Sequence, residues 1–300
     1  MIDDSSRVDV SIVAPVHNEA GNIQALCAGI RSAMNSTCLS YEIIFVNDAS
    51  TDDSLAIMKK LRCRYRECHF IDVESNVGEN WALLAGMSRA RGGVLVSIDA
   101  DYQNDPAYIP TLLERLGEGY RVVSGRRDRR VGNRWSRLWP SQIANTLIRL
   151  VSGVPVHDCG CGLKAYRREV LADKFVPKGF MNRFSPVALG VTADEFAEVD
   201  VVDRPRKYGE SHYGLNRIFI VLRDLLVIRF AVNGPTKWLA RFRVIAGFAS
   251  ALCIGAGYYQ CLGTASVFAL LTVIAVTNIW NLGRFVEAQK NPQFRIREFQ

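Results

Sequence analysis

Between Val244 and Gly283 the chain carries no charged residue. Such a run, about 40 residues long, accommodates two membrane spans of about 17–20 residues each. Its middle, Tyr258-Tyr259-Gln260-Cys261-Leu262-Gly263-Thr264, has the polar and glycine character of a tight turn with interfacial tyrosines. The reading is a helical hairpin in the bilayer. Two long buried helices of a soluble core are the alternative, and the absence of a polar face on either segment argues against it. Lys237, Arg241 and Arg243 precede the first span, and Arg284, Lys290, Arg295 and Arg297 follow the second. Positive charge at both ends places both ends on the cytoplasmic side.

The chain has 300 residues, enough for one large domain plus something smaller. The start, Met1-Ile2-Asp3-Asp4-Ser5-Ser6-Arg7, is polar and acidic and does not read as a signal peptide. A net charge of +7 suits an anionic leaflet and phosphate ligands, and nucleic acid is not among the expected partners. Eight cysteines stand in no regular framework, as in a domain kept reduced. Cys63, Cys68 and His69 fit no standard zinc spacing.

Ahead of the apolar run, strand-like and helix-like stretches alternate. Val8–Ala14, Tyr41–Val46, His69–Val73, Val94–Ile98, Arg121–Ser124 and Val199–Val202 read as strands. Ala20–Met34, Ser54–Tyr65, Glu79–Ala90 and Pro106–Leu116 read as helices between them. The fold class is therefore α/β, a mostly parallel sheet with helices on both faces. Ligands of such sheets collect at the carboxyl ends of the strands. Each polar loop here leaves a strand at that end.

One of those loops follows Val94-Leu95-Val96-Ser97-Ile98. Asp99, Asp101 and Gln103 alternate, so an extended chain points them to one side. Oxygen ligands in that pattern suit Mg²⁺ or Mn²⁺, and a diphosphate leaving group is the usual reason for such a cation. A polar turn ending a core strand, with Pro106 opening a helix, is the plainer reading. After Val131 the pattern changes. A helix from about Trp135 to Val151 is interrupted near Pro140, and His157-Asp158-Cys159-Gly160-Cys161-Gly162 forms a loop. Phe180 to Leu189 reads as helical. Asn216 to Phe230 is amphipathic and reads as a helix in the membrane interface, with soluble packing as the alternative. Arg126, Arg127, Arg129, Arg130, Arg134 and Arg137 cluster after a strand, with Ser141 one helical turn beyond Arg137. Guanidinium groups grip phosphate with paired hydrogen bonds.

Five stretches now stand in order: Pro15-Val16-His17-Asn18-Glu19, Val46-Asn47-Asp48-Ala49-Ser50-Thr51-Asp52, Asn76-Val77-Gly78, Asp99-Ala100-Asp101-Tyr102-Gln103, and Gly209-Glu210-Ser211. In that order they resemble the inverting family-two glycosyltransferases of GT-A fold. Within them the chain is most similar to the polyprenyl-phosphate glycosyltransferases, over residues 8 to 233 in detail and over the hairpin in kind. The resemblance implies that Pro15, His17 and Glu19 line a nucleotide pocket. It implies that Asp48 hydrogen-bonds the base, and that Asn76 and Gly78 border the same pocket. Asp99, Asp101 and Gln103 would hold Mg²⁺ or Mn²⁺ and the donor diphosphate. Arg127, Arg137 and Ser141 would bind the lipid phosphate, joined by Arg206 and Ser211 from a mobile loop. Asp101, Asp158, Arg127 and Arg137 form the implied catalytic set. Asp158 serves positioning first and base catalysis second, because a phosphate monoester is already anionic near neutral pH. By analogy Phe180-Met181-Asn182-Arg183-Phe184 lies near the donor sugar. Asn47-Asp48 stands where many relatives have two aspartates, which leaves uridine against guanosine open.

The implied activity is transfer of one sugar from a nucleotide diphosphate donor to polyprenyl phosphate, undecaprenyl or dolichyl, at the cytoplasmic face of the cell membrane. The implied division is a catalytic domain over 1–212, a juxtamembrane helix over 213–238, a transmembrane hairpin over 239–286 and a cytoplasmic tail over 287–300. A homo-oligomer stays open. Two alternatives stand beside that activity. A processive polysaccharide synthase carries Gln-x-x-Arg-Trp, and here Val131 precedes Arg134-Trp135 in place of the glutamine. An inactive membrane scaffold would not need the Asp99, Asp101 and Gln103 set. Gly160-Cys161-Gly162-Leu163-Lys164-Ala165 matches a dinucleotide-binding pattern but has no clear strand before it.

Overall fold

Alternation within the first strand, β1 (Val10–Val16), sets the layers. Val10, Ile12, Ala14 and Val16 join one core with α1 (Ile23–Asn35), α2 (Ser54–Arg64) and α4 (Ile109–Gly117). Val13 faces the other way, against Gly86 of α3 (Glu79–Arg89). The sheet is thus covered on both faces, as strands of continuous apolar sequence require. In this computed structural model the described residues are 8–127, 153–172, 189–204, 234–258, 262–290 and 294–300, with Thr146, Arg149, Pro186 and Phe230.

Eight strands run in the order β7 (Phe196–Val201), β5 (Val122–Arg127), β6 (Lys164–Arg167), β4 (Val94–Ser97), β1, β2 (Tyr41–Asn47), β3 (Cys68–Val73) and β8 (Ile296–Phe299). β2 and β4 flank β1 in parallel, and β3 lies parallel to β2. The chain therefore leaves β1 in one direction and returns on its other side at β4. A crevice at the carboxyl ends of β1 and β4 follows from that reversal. β5 and β7 are parallel to each other, and between β5 and β4 runs the antiparallel β6. Arg168–Ala172 continues β6 as a short helix, α5.

Three sequence expectations change. β4 ends at Ser97, and the chain beyond it is not extended: Ala100 and Asp101 form a turn, and Tyr102 has φ 57°. Alternation therefore does not orient Asp99, Asp101 and Gln103. β6 lies where the reading had only the exit of a glycine loop. The last residues, read as a tail, form β8 (Ile296–Phe299), antiparallel to β3.

The chain divides into two units, residues 1–217 with 293–300, and residues 218–292. In the second, α6 (Pro235–Tyr258) and α7 (Leu262–Lys290) pack together. Each holds a 22-residue stretch, Pro235–Ala256 and Gly263–Arg284, with mean hydropathy 1.5 and 1.7. At 1.5 Å per residue each stretch is about 33 Å long, the thickness of a bilayer's hydrocarbon core. Phe242, Ala275 and Leu282 are buried between elements, with Phe230 edge-on to Phe242 at 5.0 Å. Most of the apolar surface faces outward, including Phe248 at 69% and Ile254 at 75% exposure. A helix of a soluble core would bury such residues. The expected interfacial helix lies outside the described residues except for Phe230.

Candidate active site

The loops after β1, β2, β3 and β4 share one edge of the sheet, and each contains a left-handed residue: Asn18 (φ 57°), Ala49 (φ 50°), Gly78 (φ 89°) and Tyr102 (φ 57°). Three of these are not glycine, so the loops are held against a conformational cost. Side chains hold them. Asn18 Oδ1 accepts from the Thr51 N–H at 2.7 Å, and the Asn18 N–H donates to Ser50 Oγ at 3.0 Å. Asp52 accepts from the N–H groups of Ala20 and Ser54. The β1 and β2 loops are thereby stitched together.

His17 stands at the centre of this half. Its Nδ1 donates to the Asp48 carbonyl at 2.8 Å, and Asn76 Nδ2 donates to its Nε2 at 3.2 Å. Asp48 is buried, and its oxygens accept from the Val77 and Gly78 N–H groups at 2.7 and 2.9 Å. The structure thus brings together His17, Asp48, Asn76 and Gly78. Pro15 is buried within β1, and Glu19 accepts from Asn22 Nδ2 at 2.6 Å.

The second half gathers charge. Burial pushes the Asp99 carboxyl up to about 8, with the Glu79 and Asp101 carboxylates adding to it and Lys164 and Arg127 opposing. Gly162 lets this happen: a Cβ there would overlap the Asp99 carboxylate itself. Lys164 is buried and donates to the Cys161 carbonyl at 2.5 Å. Asp101 Oδ1 accepts from the Gln103 N–H at 3.1 Å, closing the turn. Asp99 and Asp101 could hold a divalent cation, which would relieve the repulsion between them. Among the described residues no three His, Cys, Asp or Glu side chains converge as a metal site. A cation held by Asp99 and Asp101 would need further oxygen ligands.

At the end of β5, Arg127 meets Asp158: Nε to Oδ2 is 2.6 Å and Nη2 to Oδ1 is 2.9 Å. Burial works against the Asp158 charge, but the Arg127 hydrogen bonds and charge outweigh it and hold the carboxyl below its usual range. Burial likewise opposes the Arg127 charge, yet Asp158 and Asp203 raise its affinity for the proton. Asp203 Oδ2 lies 3.7 Å from Arg127 Nη1. Glu198 braces the loop by accepting from the His157 and Asp158 N–H groups. Arg137, Ser141, Arg206, Ser211 and the 180–184 stretch lie outside the described residues, as do Arg129, Arg130 and Arg134.

The model of the family described as "Glycosyl transferase family 2" matches residues 11–175. The chain belongs to glycosyl transferase family 2. Among curated proteins it is similar to the undecaprenyl-phosphate 4-deoxy-4-formamido-L-arabinose transferase of Pseudomonas paraeruginosa, 35% identical over 219 residues, 72% of this chain and 64% of that one. It is similar also to the dodecaprenyl-phosphate galacturonate synthase of Rhizobium johnstonii, 35% identical over 233 residues, 76% of this chain and 68% of that one. The chain thus spans under two thirds of the arabinose transferase's length. In fold this family 2 chain is like glucosyl-3-phosphoglycerate synthase of Mycobacterium tuberculosis, solved with Mn²⁺, uridine diphosphate and phosphoglyceric acid: TM-score 0.56, 21% identity, 77% of this chain and 80% of that one. Mannosyl-3-phosphoglycerate synthase of Rubrobacter xylanophilus gives TM-score 0.55 at 19% identity, over 76% and 75%. These likenesses establish the GT-A-like α/β fold.

Within the family 2 site, the sequence reading passed over Glu79, Lys164, Glu198 and Asp203. Glu79 follows the left-handed Gly78 and could have been flagged as an acid at a loop-to-helix junction. Nothing in the sequence marked Lys164 as buried.

Proposed function

We propose that this chain transfers a single sugar from a nucleotide diphosphate donor to polyprenyl phosphate, inverting the anomeric carbon, at the cytoplasmic face of a membrane. One observation carries the reading. A single sheet edge collects a hydrogen-bonding pocket (His17, Asp48, Asn76) and a charged half (Asp99, Asp101, Arg127), in a chain that also has two bilayer-length helices. The printed activities of the two relatives, both on polyprenyl phosphates, support it.

In this reading His17, Glu19, Asp48, Asn76 and Gly78 receive the nucleotide, with Pro15 beneath them. Asp99, Asp101 and Gln103 would hold Mg²⁺ or Mn²⁺, which when bound neutralises the departing diphosphate. Arg127, Arg137 and Ser141 receive the lipid phosphate, and Arg206 and Ser211 complete its enclosure. That phosphate is anionic near neutral pH and attacks without a strong base. Asp158 accordingly orients Arg127 rather than removing a proton. Residues 239–286 form the hairpin, 213–238 lie in the interface, and positive charge at both hairpin ends keeps the catalytic domain cytoplasmic.

The test incubates the purified chain with UDP- and GDP-sugars, a short polyprenyl phosphate and Mn²⁺, and reads product mass. One sugar per lipid, lost on chelation, is expected. A polymer, or no product with any donor, would sink the proposal.

A further inference from the structure

The strand that follows the hairpin reaches the pocket through two buried side chains. Arg297 Nη1 on β8 lies 3.2 Å from Asp72 Oδ2. Asp72 Oδ1 accepts from Asn47 Nδ2 at 2.7 Å, and Asn47 Oδ1 accepts from the Ser50 N–H at 3.1 Å. Asp72 and Asn47 are each 2% exposed. A carboxylate so buried needs a counter-charge and filled hydrogen bonds. Among the described residues Arg297 supplies the charge and Asn47 the hydrogen bond. Asn47 opens the turn in which Ala49 is left-handed, and its neighbour Asp48 fixes Val77 and Gly78. Force on Asn47 is therefore force on the pocket.

Arg297 also donates from Nη2 to the Glu74 carbonyl at 3.3 Å, but the strand is docked by further contacts that do not involve its side chain. Phe70 and Gln300 exchange backbone hydrogen bonds at 3.0 and 3.1 Å, and the Glu74 N–H donates to the Arg295 carbonyl at 3.0 Å. Lys59 Nζ pairs with Glu298 at 2.7 Å, and Phe294 packs on Trp81.

We propose that Arg297 is a positioning residue for the nucleotide pocket: by neutralising Asp72 it fixes Asn47, and through it the β2 loop that carries Asp48. The inference rests on the reading of this pocket as the donor-nucleotide site. It is tested on the full chain by calorimetry with UDP and with GDP, each with Mn²⁺, alongside thermal melting and KM for donor and for lipid acceptor. Arg297→Ala is expected to weaken binding of whichever nucleotide the wild type takes by roughly five- to tenfold. Donor KM should rise while acceptor KM holds; the melting temperature should fall, because the buried Asp72 carboxylate loses its counter-charge, so the split between donor and acceptor KM is the readout that a merely structural role would not give. Arg297→Lys should recover most of the loss, and Arg295→Ala, whose pairing is through the backbone, should lose nothing. In an Asp72→Asn background, where no buried charge remains, adding Arg297→Ala should change affinity by less than about twofold. Wild-type affinity in Arg297→Ala, or an undiminished loss in the Asp72→Asn background, overturns the inference and leaves the pocket reading standing. A wild type that binds neither nucleotide overturns both.

Discussion

Arg127 clasps Asp158 by both carboxylate oxygens, at 2.6 and 2.9 Å, and adds its own backbone N–H at 3.2 Å. A carboxylate so engaged, and held below its usual range by that guanidinium, is a poor acceptor for a substrate proton. Asp158→Asn should lower turnover by about tenfold or less, short of the roughly 10²–10⁴-fold expected for a lost general base. The pH profile of turnover should keep its shape. Disappearance of its acidic limb would restore Asp158 to the role of base. Asp158→Ala should cost about 1–3 kcal/mol in denaturant unfolding, because it strands a half-buried guanidinium.

Gly162 is the second lever. Any side chain there overlaps the Asp99 carboxylate. Gly162→Ala should move Asp99, raise the Mn²⁺ concentration needed for half-maximal rate, and cost about 1–3 kcal/mol in stability. A Mn²⁺ response identical to wild type would show that Asp99 has no part in the metal requirement.

Ala49 offers the opposite sign. Its φ of 50° is strained for any residue with a Cβ. Ala49→Gly relieves that strain, and the looser unfolded chain returns part of the gain, so net stabilisation of up to about 1 kcal/mol is expected. Urea midpoints of the two proteins measure it. A destabilised glycine variant would mean that the surrounding hydrogen bonds do not enforce the left-handed turn.

His69 sets an acid limit on the edge of the sheet. Burial lowers its proton affinity; Glu42 opposes, while Arg62 and Arg91 assist, and the Phe299 ring lies 6.3 Å away. The backbone at Gln300 raises it slightly. The folded value lies below the unfolded 6.5, so the neutral ring stabilises the fold above about pH 6.5, and that stability drains away as pH falls through the folded value. His69→Gln should therefore lose less stability than wild type between pH 7 and pH 5. Parallel losses in the two proteins would assign the acid sensitivity to other groups.

Much of this architecture can be read from residue patterns because buried strands and amphipathic helices advertise themselves. β1, β2, β3 and the helices α1, α2 and α3 fall within a few residues of their expected bounds. β6 escaped because its first residue is a lysine, a residue type seldom buried, which here is buried and donates to the Cys161 carbonyl. β8 escaped because Arg295 and Arg297 read as flanking charge for a membrane helix, although Phe294, Ile296 and Glu298 alternate with them as a strand requires. The loops that bring His17, Asp48, Asn76 and Gly78 together were legible, but their geometry was not. Asp99, Asp101 and Gln103 are arranged by a turn with a left-handed tyrosine, which no alternation rule foresees. The pairing of Arg127 with Asp158 joins residues 31 apart in sequence and depends on an antiparallel strand the reading lacked.

β8 comes after both apolar helices in the order of synthesis, yet it covers the edge of a sheet whose other strands are made before them. On the ribosome the sheet must therefore wait, with β3 as a raw border, while some 55 residues that include both apolar helices (235–290) are translated. Completion of the loops around Asp48 is thereby yoked to delivery of the helices to their destination: a nascent chain stalled between the two helices still lacks the arginine that settles Asp72.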